Sequence, residues 1–133
     1  MNNRNRSFVL AGFACAAALL AGCNRADSER EVAQDVAEAR KEGAQDVAEA
    51  RRDAAEQVAE ARQGGDASET RDTTAEAQRD VRVAQAEARY NVQKQGCEAL
   101  RGDAQKACKD KAEAEYEAAK ADAEQSAAAT KQQ

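Results

Sequence analysis

After Cys23 the chain has very little that is both large and apolar. Ten side chains make up the set: Val32, Val36, Val47, Val58, Val81, Val83, Val92, Leu100, Tyr90 and Tyr116. Both Phe, the only Met and three of the four Leu come earlier, and Ile and Trp are absent throughout. Fully burying a Val or Leu contributes roughly 1.5–3 kcal/mol. Ordering the backbone costs roughly 1–2 kcal/mol per residue. Ten such residues cannot offset that cost over about a hundred positions, so a compact globule is not expected. Proline is absent, and Ala, Glu, Arg, Gln and Lys, the strongest helix formers, dominate. The fold class that follows is all-α: elongated helices with little globular core, in one domain at most.

An internal repeat sets the first helix. Ala33-Gln34-Asp35-Val36-Ala37-Glu38-Ala39-Arg40 returns unchanged as Ala44 to Arg51, and with small changes as Ala55 to Arg62. The period of eleven residues makes three turns at 3.67 residues per turn, so each repeat returns to nearly the same face. Val36, Val47 and Val58 align, with Ala39, Ala50 and Ala61 beside them. Val32, Gly43 and Ala54 extend the stripe, and Arg40, Arg51 and Arg62 project close to it. Residues 31–62 are expected as this repeat helix. Asp27 or Ser28 is the candidate cap. Three uses fit so narrow a stripe: a solvated spacer, a right-handed coiled coil with itself or a partner, or a surface-active helix. The last resembles the eleven-residue repeats of late-embryogenesis-abundant stress proteins, although bulky interfacial residues are missing.

Residues 63–68 form a glycine-rich break. Gly64 is expected to stop the helix with positive φ, and Asp66 or Ser68 to cap the next one. From 69 to 125 the period changes. Val83, Ala86, Tyr90, Gln93, Cys97 and Leu100 follow heptad spacing. Arg101-Gly102-Asp103 reads as stop, turn and cap, and Cys108, Ala112, Tyr116, Ala119 and Ala123 form a second seam. The seams mirror each other about Gly102–Asp103. Folding back there brings Cys97 and Cys108 to one level of an antiparallel helical hairpin. A disulfide needs Cα atoms roughly 4.4–6.8 Å apart, whereas one continuous helix would hold them about 16 Å apart. Cys97 and Cys108 are therefore the expected disulfide. Residues 126–133 are expected to fray.

The chemistry visible in the sequence is sparse. There is no His, which weakens any zinc site. Ten residues separate the two cysteines, unlike a redox dithiol. No phosphate loop, nucleophile triad or calcium loop is present. No catalytic, cofactor-binding or metal-binding residues are assigned, and an enzyme is not expected. Of 20 Lys+Arg and 25 Asp+Glu, only Arg4 and Arg6 precede Cys23, so the chain from Cys23 onward carries a formal charge of −7. That balance gives no basic footprint for nucleic acid, and no small-molecule substrate is identified.

The beginning of the chain supplies the address. Arg4 and Arg6 precede an apolar run from Ser7 to Gly22. A basic start, a run of this length and small residues before a cut make a secretory signal at 1–22, and the run is short for a spanning helix. Leu20-Ala21-Gly22-Cys23 resembles the lipobox of bacterial lipoproteins. The resemblance implies cleavage before Cys23, diacylglycerol on its sulfur and acylation of its amino group, with residues 23–30 as lipidated N-terminus and tether. Asn24 rather than Asp after the Cys implies the outer membrane, facing the periplasm. Multiple acyl chains make such anchoring stable, and exported proteins meet oxidising conditions. The segment Cys97 to Lys109 also resembles small alanine- and lysine-rich exported proteins of proteobacteria with a Cys-x10-Cys hairpin, a group that carries little functional information. The murein-linked lipoproteins resemble this chain in their anchored helix but end in a basic residue. This chain ends Lys131-Gln132-Gln133.

These features point to an outer-membrane-anchored, non-enzymatic structural or envelope-stress lipoprotein. Its expected partners are the membrane, through the anchor, and a helical protein or a second copy. The alternative is a stress-protectant-like amphipathic repeat protein that orders on membranes or partners.

Overall fold

The computed structural model describes residues 27–133, so the expected leader, the expected lipidation site Cys23 and the first part of the expected tether lie outside the described residues. The rest is all-α: α1 spans Glu29–Gly64, α2 Ala67–Gly96 and α3 Gly102–Lys131, with a short 3-10 turn at Cys97–Ala99 between the last two. No strand occurs among the described residues. At 1.5 Å per residue, α1 is roughly 54 Å long and the other two are roughly 45 Å.

Capping chemistry fixes where α1 and α2 begin. Ser28 Oγ accepts the Glu31 backbone N–H at 3.3 Å, and the Glu31 carboxylate accepts the Ser28 N–H at 3.0 Å. This reciprocal pair satisfies two donors that a helix start leaves open. Asp66 Oδ1 accepts the N–H groups of Ser68 and Glu69 at 2.8 and 2.9 Å. The break is shorter than residues 63–68, and Gly64 is still helical. The expected positive φ at Gly64 is corrected: among the described glycines only Gly102 has one, at 55°. Gly65 ends α1 in extended backbone and donates its N–H to Ala61 O at 2.8 Å. Gly102 is the first residue of α3. A left-handed φ there turns the chain without the strain a Cβ would bring. Asp103 therefore sits in the first turn of α3 rather than capping it, and Arg101 precedes the helix without a side-chain cap.

The helices run up, down and up. At one end Asp27 N–H donates to Glu98 C=O at 3.3 Å. At the other, Thr70 Oγ1 donates to Ala61 C=O at 3.1 Å, and Lys131 pairs with Glu76. Both α1 and α3 pack along α2, while α1 and α3 have no Cα atoms within 8 Å of each other. The reason lies in α2. Ala77, Val81 and Ala88 meet α1, and Ala86 and Tyr90 meet α3. These rows are two residues out of phase, which places them about 160° apart on the helix. The three helices therefore lie side by side as one layer with α2 in the middle.

The repeat helix is thus not a solvated spacer. Its stripe is the face against α2, with Val32, Ala39 and Gly43 buried and Val36, Val47, Ala50, Ala54, Val58 and Ala61 half-buried. The core consists of small residues: besides Val32, Gly43 and Cys97, the buried positions among the described residues are all Ala. Leu100, placed in the first seam by its spacing, is 40% exposed because the chain has already left α2 for the 3-10 turn. The tail is also corrected. α3 continues to Lys131 because Ala123 and Ala127 are buried against its neighbour and Lys131 pairs with Glu76.

Close approach is the condition for this packing. A Cβ on Gly43 would lie 2.6 Å from Ala88 Cβ and 3.1 Å from Ala88 Cα. Neither atom belongs to a flexible side chain. Gly43→Ala should lower stability despite gaining about 1 kcal/mol of helix propensity, because overpacking costs about 1–3 kcal/mol. Adding Ala88→Gly should recover most of the loss. At Gly96 a Cβ would meet nothing within 4 Å, so Gly96→Ala should be neutral or stabilising. Urea unfolding midpoints distinguish the three.

Asp66 gives a pH test. Its carboxylate is held below its usual range, first by the Glu69 N–H and then by the Ser68 side chain and N–H. The stabilisation is complete above the ordinary carboxylate range and is lost as pH falls through the lowered native value. Thermal melts across that range should show Asp66→Ala to be less stable than the native chain near neutrality. The gap should close in acid.

Candidate interaction surface

Two features of the layer can act on something outside it: the clasped turn between α2 and α3, and a groove along α1 and α2. Cys97 and Cys108 are joined by a disulfide, with Cα atoms 5.7 Å apart. Cys97 is fully buried, and Cys108 is half-buried. Around them Glu98 pairs with Lys109 at 2.7 Å and accepts from Gln105 Nε2 at 2.7 Å. About two turns inward, the rings of Tyr90 and Tyr116 stack with centroids 5.3 Å apart. Lys94 and Lys120 lie 5.9 and 5.2 Å from these rings, within cation–π range. Both tyrosines are packing pieces between α2 and α3. With Cys97 buried and its sulfur already bonded, this end serves as a lock.

The groove has a different character. On one side of the α1–α2 contact two open depressions, of about 600 and 620 Å³, follow one another along the helices. Alanine and valine form their floor. Their rim carries Arg40, Arg51 and Arg62 from the repeat and Arg82 and Arg89 from α2, and no carboxylate lines either depression. All five arginines are exposed. Among the described residues none of them is in an ion pair. The opposite flank of α1 is acidic, where Asp35, Glu38 and Glu42 line a smaller depression with Gln95. An acidic chain thus separates its charge into a basic and an acidic face over α1 and α2.

The repeat arginines were visible in the sequence as a row close to the stripe. Arg82 and Arg89 carried a weaker signal, a spacing of seven on a helix whose second contact face was not foreseen. Among the described residues no polar or charged residue is buried, and no group of three or more His, Cys, Asp or Glu is placed to hold a metal ion. No helix among them is long and apolar enough to cross a membrane. No family model, curated protein or solved structure matches the chain.

The clasp should matter most at its own end. Reduction, or Cys97→Ser with Cys108→Ser, should lower stability by of order 3 kcal/mol, the value for closing a short loop. Hydrogen exchange should quicken in residues 90–97 and 108–116 while the Gly65 end changes little. Equal protection at both ends after reduction would show that the disulfide is not what holds this end.

Proposed function

We propose that this chain is an outer-membrane-anchored, non-enzymatic structural or envelope-stress lipoprotein that works through helix–helix or envelope contacts. The observation that carries the reading is the exposed, arginine-rimmed groove along α1 and α2, a surface shaped for an elongated partner. The lipobox-like Leu20-Ala21-Gly22-Cys23 supports the anchorage. Three residues separate Cys23 from Asp27, and the four steps reach at most about 14 Å in extended chain. Asp27 is bonded to Glu98, so the anchored end and the disulfide-clasped turn share one end of the layer. The Gly65 turn and the end of α3 lie roughly 50 Å away.

The protectant-like reading needs the apolar stripe of α1 free for membranes or partners. That stripe packs on α2, which favours the structural reading. Circular dichroism of the lipid-free protein beginning at Asn24 separates the two. High helicity in plain buffer is the expected result, and coil that becomes helical only with vesicles would favour the protectant. Mass spectrometry of the mature protein should find an acylated N-terminus at Cys23. An unmodified start elsewhere would refute the anchor.

A further inference from the structure

We propose that the arginine-rimmed face of α1 and α2 receives the acidic face of a second copy of this chain. Copies would then stack in parallel rows with their anchored ends together. The inference rests on the anchored, helix-contact reading above and names the partner for it.

The argument begins with the repeat. Arg40, Arg51 and Arg62 recur every eleven residues, about 16.5 Å along the axis, and so do Glu38, Glu49 and Glu60. All six are exposed. Each Arg follows a Glu by two residues, which puts the two rows about 160° apart around α1 and displaced by only about 3 Å along it. A neighbour shifted sideways, without rotation, therefore brings its glutamate row level with the arginine row of the first copy. Three repeats come into register at once. A rotation that placed two groove faces together would set guanidinium rows against each other. The chain thus carries both halves of one charge pattern on opposite faces.

Size and tethering agree with this arrangement. The α1–α2 face is roughly 50 Å long and two helices wide, of order 900 Å². A standard interface needs about 800 Å² per partner. The small residues of the floor let a neighbouring helix sit close. Exposed ion pairs contribute only about 0–1 kcal/mol each, so the rows would associate weakly in free solution. Anchorage in one membrane raises the effective concentration and compensates for that weakness. Translation alone keeps every anchored end on the same side. Because the two contacting faces differ, the contact does not close on itself, and it produces rows rather than dimers.

The test is photo-crosslinking in cells, with benzoylphenylalanine at Ala48 on the arginine flank of the full-length protein. A ladder of self-crosslinked species beyond the dimer is expected. The triple variant Arg40→Glu, Arg51→Glu, Arg62→Glu should lose the ladder by about tenfold, as should Glu38→Arg, Glu49→Arg, Glu60→Arg. Expressing the two variants together with different tags should restore crosslinks between them. An unchanged ladder in either folded variant, or no restoration on mixing, overturns the proposal. If a variant fails to fold, salt decides. Crosslinking of the native protein in opened cells should fall at least about fivefold between roughly 50 and 500 mM salt, and no fall overturns it. Crosslinks only to another protein or to anionic lipid overturn the second copy while sparing the helix-contact reading. An absence of crosslinks from this face and from the outer face of α3 overturns both.

Discussion

The layer depends on how closely α1 can approach α2. An alanine stripe buries little surface per residue, so its contribution depends on packing at short range. The contact of Gly43 with Ala88 shows how short that range is: no room remains for even one additional methyl group. A larger side chain at that level would force the helices apart and loosen the small contacts above and below it. The scarcity of large apolar residues, which argued against a globule, is therefore compatible with a fold of this kind. Small residues at the interface replace bulk with proximity. Because α2 places its two contact rows nearly opposite one another, the result is a flat layer and not a closed bundle. A flat layer leaves both broad surfaces of α1 exposed, and only then does the separation of arginine and glutamate rows acquire a geometric meaning.

The sequence made some of this legible and concealed the rest, for reasons that can be traced residue by residue. The stripe from Val32 to Ala61 was readable because an eleven-residue period leaves no second phase for it to occupy. The α2–α3 seam was readable because Tyr90, Cys97, Cys108 and Tyr116 mark it with residues rare elsewhere in the chain. The partner of the stripe was not. Thr74, Ala77 and Ala88 are too small to stand out, Val81 is the one bulkier apolar residue among them, and α2 was credited with a single contact face. Fraying of the last residues was a reasonable expectation for Ala127-Ala128-Ala129. It failed because burial of Ala127 depends on a neighbour far away in sequence. The turn was placed correctly at Gly102, but the role given to Asp103 required the helix to start two residues later than it does. Cys23, the residue on which the address depends, lies outside the described residues, so the case for anchorage still rests on the sequence.

Topology changes what the disulfide is for. Read along the sequence, Cys97 and Cys108 close a hairpin at the far end of a long extension. In the folded chain that hairpin turn lies beside the start of α1, where the Asp27 N–H meets the Glu98 carbonyl. In the proposed anchored protein, a pull on the tether would reach first the capping box of Ser28 and Glu31, and next to it the clasped turn. The opposite end is held by less: the Asp66 cap, the Thr70 hydroxyl on Ala61 and the Lys131–Glu76 pair, all noncovalent. A covalent lock is most useful where load enters. A layer whose stability comes from many small contacts would otherwise open from its loaded end, one turn at a time. The clasp puts the covalent closure of α2 and α3 at that end and leaves the far end to noncovalent contacts.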